Sequence, residues 1–126
     1  METQSSSGII VSTGLGSTGW LRSVVAGATG VATALSGRPL DIAARGPVAW
    51  NADHLFFSVR EPWPSKTSGA QITFGTVTAT APLRLVSQMP ENGVIFSDGI
   101  EADFLQFNSG TEAVIGVAER KGYLVK

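Results

Sequence analysis

The apolar residues of this chain change their period once, near residue 40. Before that point, Gly8-Ile9-Ile10-Val11-Ser12 is a short apolar run that predicts a buried strand. A glycine-rich turn follows, Thr13-Gly14-Leu15-Gly16. Trp20, Val24, Ala28, Val31 and Leu35 then recur at intervals of four and three, the spacing of one helix face. The helix is expected to open at Ser17 or Thr18. It should stop at Ser36-Gly37, with Gly at the C′ position and Pro39 just beyond. About 18 residues of helix span roughly 27 Å. Gly27 and Gly30 weaken it by about 1 kcal/mol each relative to Ala. Small residues also let another backbone come close, so the helix is expected to lie tight against a sheet or a partner.

After Leu40 the pattern is that of strands. His54–Glu61 carries Leu55, Phe56, Phe57 and Val59, and residues 71–80 alternate through Ile72, Phe74, Thr76 and Thr78. Residues 83–88 are a further strand, and Asn92-Gly93 supplies the positive φ angles of a type I′ turn. That turn is expected to join 83–88 to 94–97 as a hairpin. Three more strands are expected at 101–108, 113–118 and 123–125. Asp98-Gly99 reads as a tight turn. Trp63, held between Pro62 and Pro64, lies in an extended loop that presents its indole. The expected fold is therefore mostly β and sandwich-like, with one main α-helix near the N-terminus. Residues 1–7 are polar and read as a disordered or tag-like lead-in, leaving 8–126 as a single β-rich domain.

Composition narrows the function classes. The 126 residues are 43% hydrophobic and only 15% charged, with 15 Gly, which fits a turn-rich globular domain whose surface is partly covered by something else. Net charge is −1 and the longest basic cluster is Arg120-Lys121, so nucleic acid is not an expected partner. There is no Cys and one His, His54, which removes disulfides, thiolate chemistry and multi-histidine metal sites from consideration. The N-terminus lacks the apolar core of a signal peptide and no stretch is long enough to span a membrane, so a cytoplasmic location is expected.

The strongest candidate chemistry lies in the strand–turn–helix at Ile9 to Trp20. Gly16 lets the backbone approach a ligand closely. The hydroxyls of Ser17 and Thr18 either cap the helix or donate to a phosphate or ribose oxygen, and the free N–H groups of a first helical turn favour an anion. The letters Gly14-Leu15-Gly16-Ser17-Thr18-Gly19 follow the GxGxxG spacing, without the Gly-Lys-Ser/Thr of a P-loop. Asp98, Glu101 and Asp103 cluster as carboxylates on a solvent face. Arg60-Glu61 reads as a surface ion pair or as a loop that meets a partner or the ligand.

Thr13-Gly14-Leu15-Gly16-Ser17-Thr18-Gly19-Trp20 resembles the Thr-Pro-Thr-Gly-Ser-Thr-Ala-Tyr segment of NAD kinases, and Gly93-Val94-Ile95-Phe96-Ser97-Asp98-Gly99 resembles that family's Ser-x-Asp-Gly-Gln region. Both stand in the family's order, and the resemblance covers roughly residues 8–125. It implies the C-terminal β domain of an enzyme that phosphorylates the adenosine 2′-hydroxyl of NAD. That enzyme uses ATP or polyphosphate and a divalent metal. In the family this domain binds much of the NAD and builds a homo-oligomer, while an N-terminal α/β domain carries a Gly-Gly-Asp-Gly motif with the catalytic Asp. The resemblance carries NAD contact onto Thr13, Gly16, Ser17, Thr18, Gly19 and Trp20, and no catalytic or metal-binding residue onto this chain. Gly14, Leu15, Gly19 and Trp20 depart from the family's Pro, Thr, Ala and Tyr, and Ile100 stands where the family has Gln. No Gly-Gly-Asp-Gly occurs, so this chain alone is expected to be inactive. A non-catalytic binding or oligomerisation module, or the β domain of a related small-molecule or lipid kinase, is the alternative.

Overall fold

The computed structural model describes residues 1–40, 49–97 and 99–125. The chain is mostly β, with one main helix near the N-terminus, and it divides into two compact units, Met1–Thr78 and Ala79–Lys126.

The first unit holds β1 (Gly8–Ser12), α1 (Trp20–Ser36), β2 (Leu55–Arg60) and β3 (Phe74–Val77). The three strands form one antiparallel sheet with β2 in the centre, and Gly8 stands opposite Arg60 while Phe57 faces Gly75. The β-branched and aromatic run of β2 explains its central place, because a middle strand is covered on both edges and rewards large side chains. The expected strand over 71–80 shortens to Phe74–Val77. β1 is half-buried where burial was expected, and Ile9 remains 39% exposed.

Helix α1 ends as the sequence suggests. Gly37 takes the left-handed conformation (φ 66°) and its N–H donates to the Thr33 carbonyl at 3.0 Å. Its start differs, because a 3-10 turn at Leu15–Thr18 comes first and the α-helix opens only at Trp20. Of the two expected packings, against a sheet or against a partner, the first is not seen, since α1 lies loosely on the sheet. Leu21 is its buried residue, Val31 and Leu35 are exposed, and the space around Gly27 and Gly30 is open.

The opening residues run beside 60–72. The Thr3 carbonyl accepts from Gly69 N–H, the Ser5 carbonyl from Trp63 N–H, and the Glu2 carboxylate from the N–H groups of Gln71 and Ile72 at 3.0 and 3.1 Å. The Gln4 side-chain amide also donates to Glu2 at 2.9 Å. That bond above all, opposed by partial desolvation and helped by the two backbone donors, holds the Glu2 carboxyl below its ordinary value of 4.5.

The second unit is two antiparallel pairs: β4 (Leu83–Val86) with β7 (Glu112–Ile115), and β5 (Val94–Ser97) with β6 (Ile100–Gln106). The hairpin expected at Asn92-Gly93 is therefore overturned, since β4 does not pair with β5. Asn92 does have a positive φ of 59°, but Gly93 does not. Gly93 is instead held from afar. Its N–H donates to Asn108 Oδ1 at 2.9 Å and its carbonyl accepts from Phe107 N–H at 2.7 Å. A Cβ at Gly93 would strike the Phe107 carbonyl, so glycine is required there by closeness. The hairpin of this unit sits at Gly99 (φ 84°), between Ser97 and Ile100, next to Asp98, which lies outside the described residues. The expected 101–108 strand starts one residue early and ends two early. The next is Glu112–Ile115, and 121–125 is not a strand.

Burial is sparse. Among the described residues the buried apolar side chains are Leu21, Phe57, Val59 and Val77, all in the first unit. The second unit is organised instead around a polar knot. The buried Ser87 Oγ donates to the Phe107 carbonyl at 2.6 Å and accepts from Met89 N–H at 3.2 Å. Gly110 N–H donates to the Ser87 carbonyl at 3.0 Å.

Candidate functional site

The turn after β1 folds on its own hydroxyls and carbonyls. Thr13 Oγ1 accepts from Gly16 N–H at 3.0 Å, which closes the bend. Ser17 Oγ donates to the Gly14 carbonyl at 2.6 Å and Thr18 Oγ1 to the Leu15 carbonyl at 3.3 Å. Both hydroxyls point back into the preceding turn, so neither caps α1. The N-cap is Gly19, with no side-chain hydrogen bond at the cap and no acidic residue in the first helical turn. Arg22 N–H donates to the Gly19 carbonyl at 3.1 Å.

Gly14 is the buried residue of this turn, and a Cβ there would strike the Ala49 carbonyl. Pro or Ala at 14 would force residues 14 and 49 apart.

Thr13, Gly16, Ser17, Thr18, Gly19 and Trp20 are brought together by continuity along the turn, and Trp20 begins α1. Arg60, which the sequence offered as half of a surface ion pair or as part of a loop that meets a partner or the ligand, joins them. Arg60 stands opposite Gly8 at the start of β1, and its guanidinium carbon lies 4.6 Å from the Trp20 ring centroid. That distance is a cation–π contact, worth about 0.5–1 kcal/mol at an exposed site. Glu61 approaches Arg60 at 3.9 Å, too far for a hydrogen bond and 72% exposed. Glu61 also has φ 45° immediately before Pro62, a backbone region that a side chain disfavours and a following proline disfavours further.

Between α1 and the sheet lies an open trough of about 1110 Å³. Val24, Val25 and Ala28 line its helix side, Val59 and Phe74 its sheet side, and Arg60 contributes charge to the wall. Because Arg60 sits on Trp20, its part of the wall lies toward the N-terminal end of α1. The volume is slightly above the usual range of small-molecule clefts, and the mix of apolar walls with a few polar groups is the usual one.

The other candidates do not converge on a site. Glu101 and Asp103 lie on the exposed β6, and His54 packs edge-on against Phe56 with centroids 4.8 Å apart. Among the described residues no three acidic or histidine side chains are grouped to hold a metal ion. No helix among them is long and apolar enough to cross a membrane. Comparison with family models, curated proteins and solved structures finds no match to this chain.

Proposed function

We propose that this chain is the nucleotide-binding and assembly half of an NAD-kinase-like phosphotransferase, with the β-sandwich architecture of that family and a cytoplasmic location. The observation that carries the reading is the β1–turn–α1 segment. A glycine bend there leads into a helix whose first turn has neither an acidic residue nor a side-chain cap. Such an end favours negative charge through its N–H groups and the helix dipole. NAD is the proposed ligand, with ATP and a divalent metal entering only where an N-terminal α/β domain completes the enzyme. This chain's own residues bind and orient. The base and the metal-phosphate groups that phosphoryl transfer requires belong to that other domain.

Exposed apolar side chains support a covering partner: Val31 and Leu35 on α1, and Phe104 and Leu105 on β6, are exposed. An N-terminal α/β domain and further copies of the chain are the proposed partners.

A second reading, a non-catalytic binding or oligomerisation module, draws on the inward-turned hydroxyls of Ser17 and Thr18. Calorimetric titration with NAD separates the two. The nucleotide reading expects measurable binding, weakened several-fold by Thr18→Ala once the long bond to Leu15 is exchanged for ligand. Absence of heat with wild type and variant alike overturns it and favours the second reading.

A further inference from the structure

We propose that Arg60 is a ligand-binding residue, held on the Trp20 ring so that it grips the phosphate of a nucleoside monophosphate unit whose flat base lies in the trough between α1 and the sheet. The proposal deepens the nucleotide reading and rests on it. Three features of the first unit carry it.

Arg60 is a positioned cation. Its backbone is pinned just ahead of β1, because both the N–H and the hydroxyl of Ser7 donate to the Arg60 carbonyl, at 3.1 and 3.3 Å. Its guanidinium carbon lies 4.6 Å from the Trp20 ring centroid, a contact that holds in place a planar fork of the kind that matches phosphate oxygens.

Local charge is complementary to an anion. Arg22 stands in the first turn of α1 and no acidic residue does; Glu61 shares the trough lining with Arg60 but meets it only at 3.9 Å and is 72% exposed, so it screens the cation weakly. Two cations near a helix N-terminus repel the positive end of the dipole, and a bound phosphate relieves that arrangement. The residue that follows Arg60 is also the one with the disfavoured backbone, Glu61 at φ 45° before Pro62, and disfavoured backbone of this kind concentrates where a side chain must be aimed.

The trough supplies the other half of the ligand. Val24, Val25 and Ala28 face Val59 and Phe74 across it, two apolar walls that suit a planar heterocycle, and Arg60 stands in the same lining. A free phosphate would gain from Arg60 alone, and a nucleoside from the walls alone. A phosphorylated nucleoside gains from both.

The test is calorimetric titration of AMP, adenosine, inorganic phosphate and NAD against wild type, Arg60→Gln, Arg60→Lys and Trp20→Phe. AMP is expected to bind more tightly than adenosine or phosphate. Arg60→Gln should weaken AMP at least ten-fold while leaving adenosine unchanged. Arg60→Lys should recover little, since an ammonium lacks the stacked fork, and Trp20→Phe should fall between. Should Arg60→Gln fail to fold, the salt dependence of AMP binding by wild type decides. Affinity that falls with ionic strength, with adenosine unaffected, upholds the contact, and a flat response overturns it. Equal losses for AMP and adenosine, or no loss for either, overturn the proposal. So does absence of AMP binding by wild type at millimolar concentration. If NAD binds wild type and Arg60→Gln alike, this proposal fails and the NAD reading stands. If AMP binds through Arg60 and NAD does not bind, the NAD reading fails and this one stands.

Discussion

Replacing Ser87 by Ala tests whether hydrogen bonds, rather than an apolar core, hold the second unit. Ser87 is 5% exposed, and its hydroxyl serves two backbone groups: it donates to the Phe107 carbonyl at 2.6 Å and accepts from Met89 N–H at 3.2 Å. Ala leaves one donor and one acceptor without a partner. A dry unpaired group costs about 1–3 kcal/mol. Met89 is half exposed, so water reaches its N–H and the cost there lies at the low end. The Phe107 carbonyl is less open and loses the shorter bond. The sum is about 2 kcal/mol, or roughly a 30-fold rise in the population of the opened state. Hydrogen exchange reads this directly at the amides of Met89, Phe107, Ser109 and Gly110, all bonded within the knot. Each should exchange roughly 30-fold faster in Ser87→Ala, while Ser87→Thr, which keeps the hydroxyl, should stay near wild type. The Val59 amide, bonded to the Thr73 carbonyl at 2.8 Å outside the network, serves as reference. An acceleration below about threefold, or one shared equally by Val59, would refute the reasoning.

Two further outcomes follow from the first unit. Gly14→Pro should lower the melting temperature by several degrees, as a clash costing about 2 kcal/mol does in a small domain, because the Ala49 carbonyl occupies the space. An unchanged transition in differential scanning fluorimetry would show that the turn opens freely. Glu2 sets a pH dependence of known sign. Its folded-state pKa is depressed, so its contribution is present above the ordinary 4.5 and is lost as pH falls through the lower folded value. The amide resonances of Gln71 and Ile72 should shift together with that protonation, and Glu2→Gln should abolish the titration. Shifts that persist in the variant would assign them to another group.

The helix and its stop were legible because both are local. The three-four spacing of apolar residues marks α1 and Gly37 marks its end, whatever lies elsewhere. The Gly99 turn was legible for the same reason. Asn92-Gly93 carried an equally strong local signal and misled, because Asn108 Oδ1 and Phe107 N–H take up the Gly93 backbone from fifteen and fourteen residues away. Long-range partners outbid the turn code there, and β4 pairs with β7 accordingly. In the candidate site, the turn residues were visible as a contiguous string. Arg60 was legible only as a surface ion pair or a loop that meets a partner or the ligand, and its contact with Trp20 was not, because residues so far apart in the chain leave no local signal. The hydroxyls of Ser17 and Thr18 looked like caps because the sequence does not reveal that a 3-10 turn intervenes and captures them.

The nested pairing of the second unit sets an order in which its strands can find each other. β5 and β6 meet across the shortest possible gap, Ser97 to Ile100, whereas Val86 must find Glu112 across about 25 intervening residues. Once the inner ladder has closed from Val94 to Gln106, the slack left between the outer strands is only about a dozen residues, and that halving spares about 0.6 kcal/mol of closure entropy. The inner ladder is thus the natural first event and the outer ladder its dependent. During synthesis on the ribosome, β4 emerges early and must wait unpaired, as an open strand edge, until β7 has followed it out.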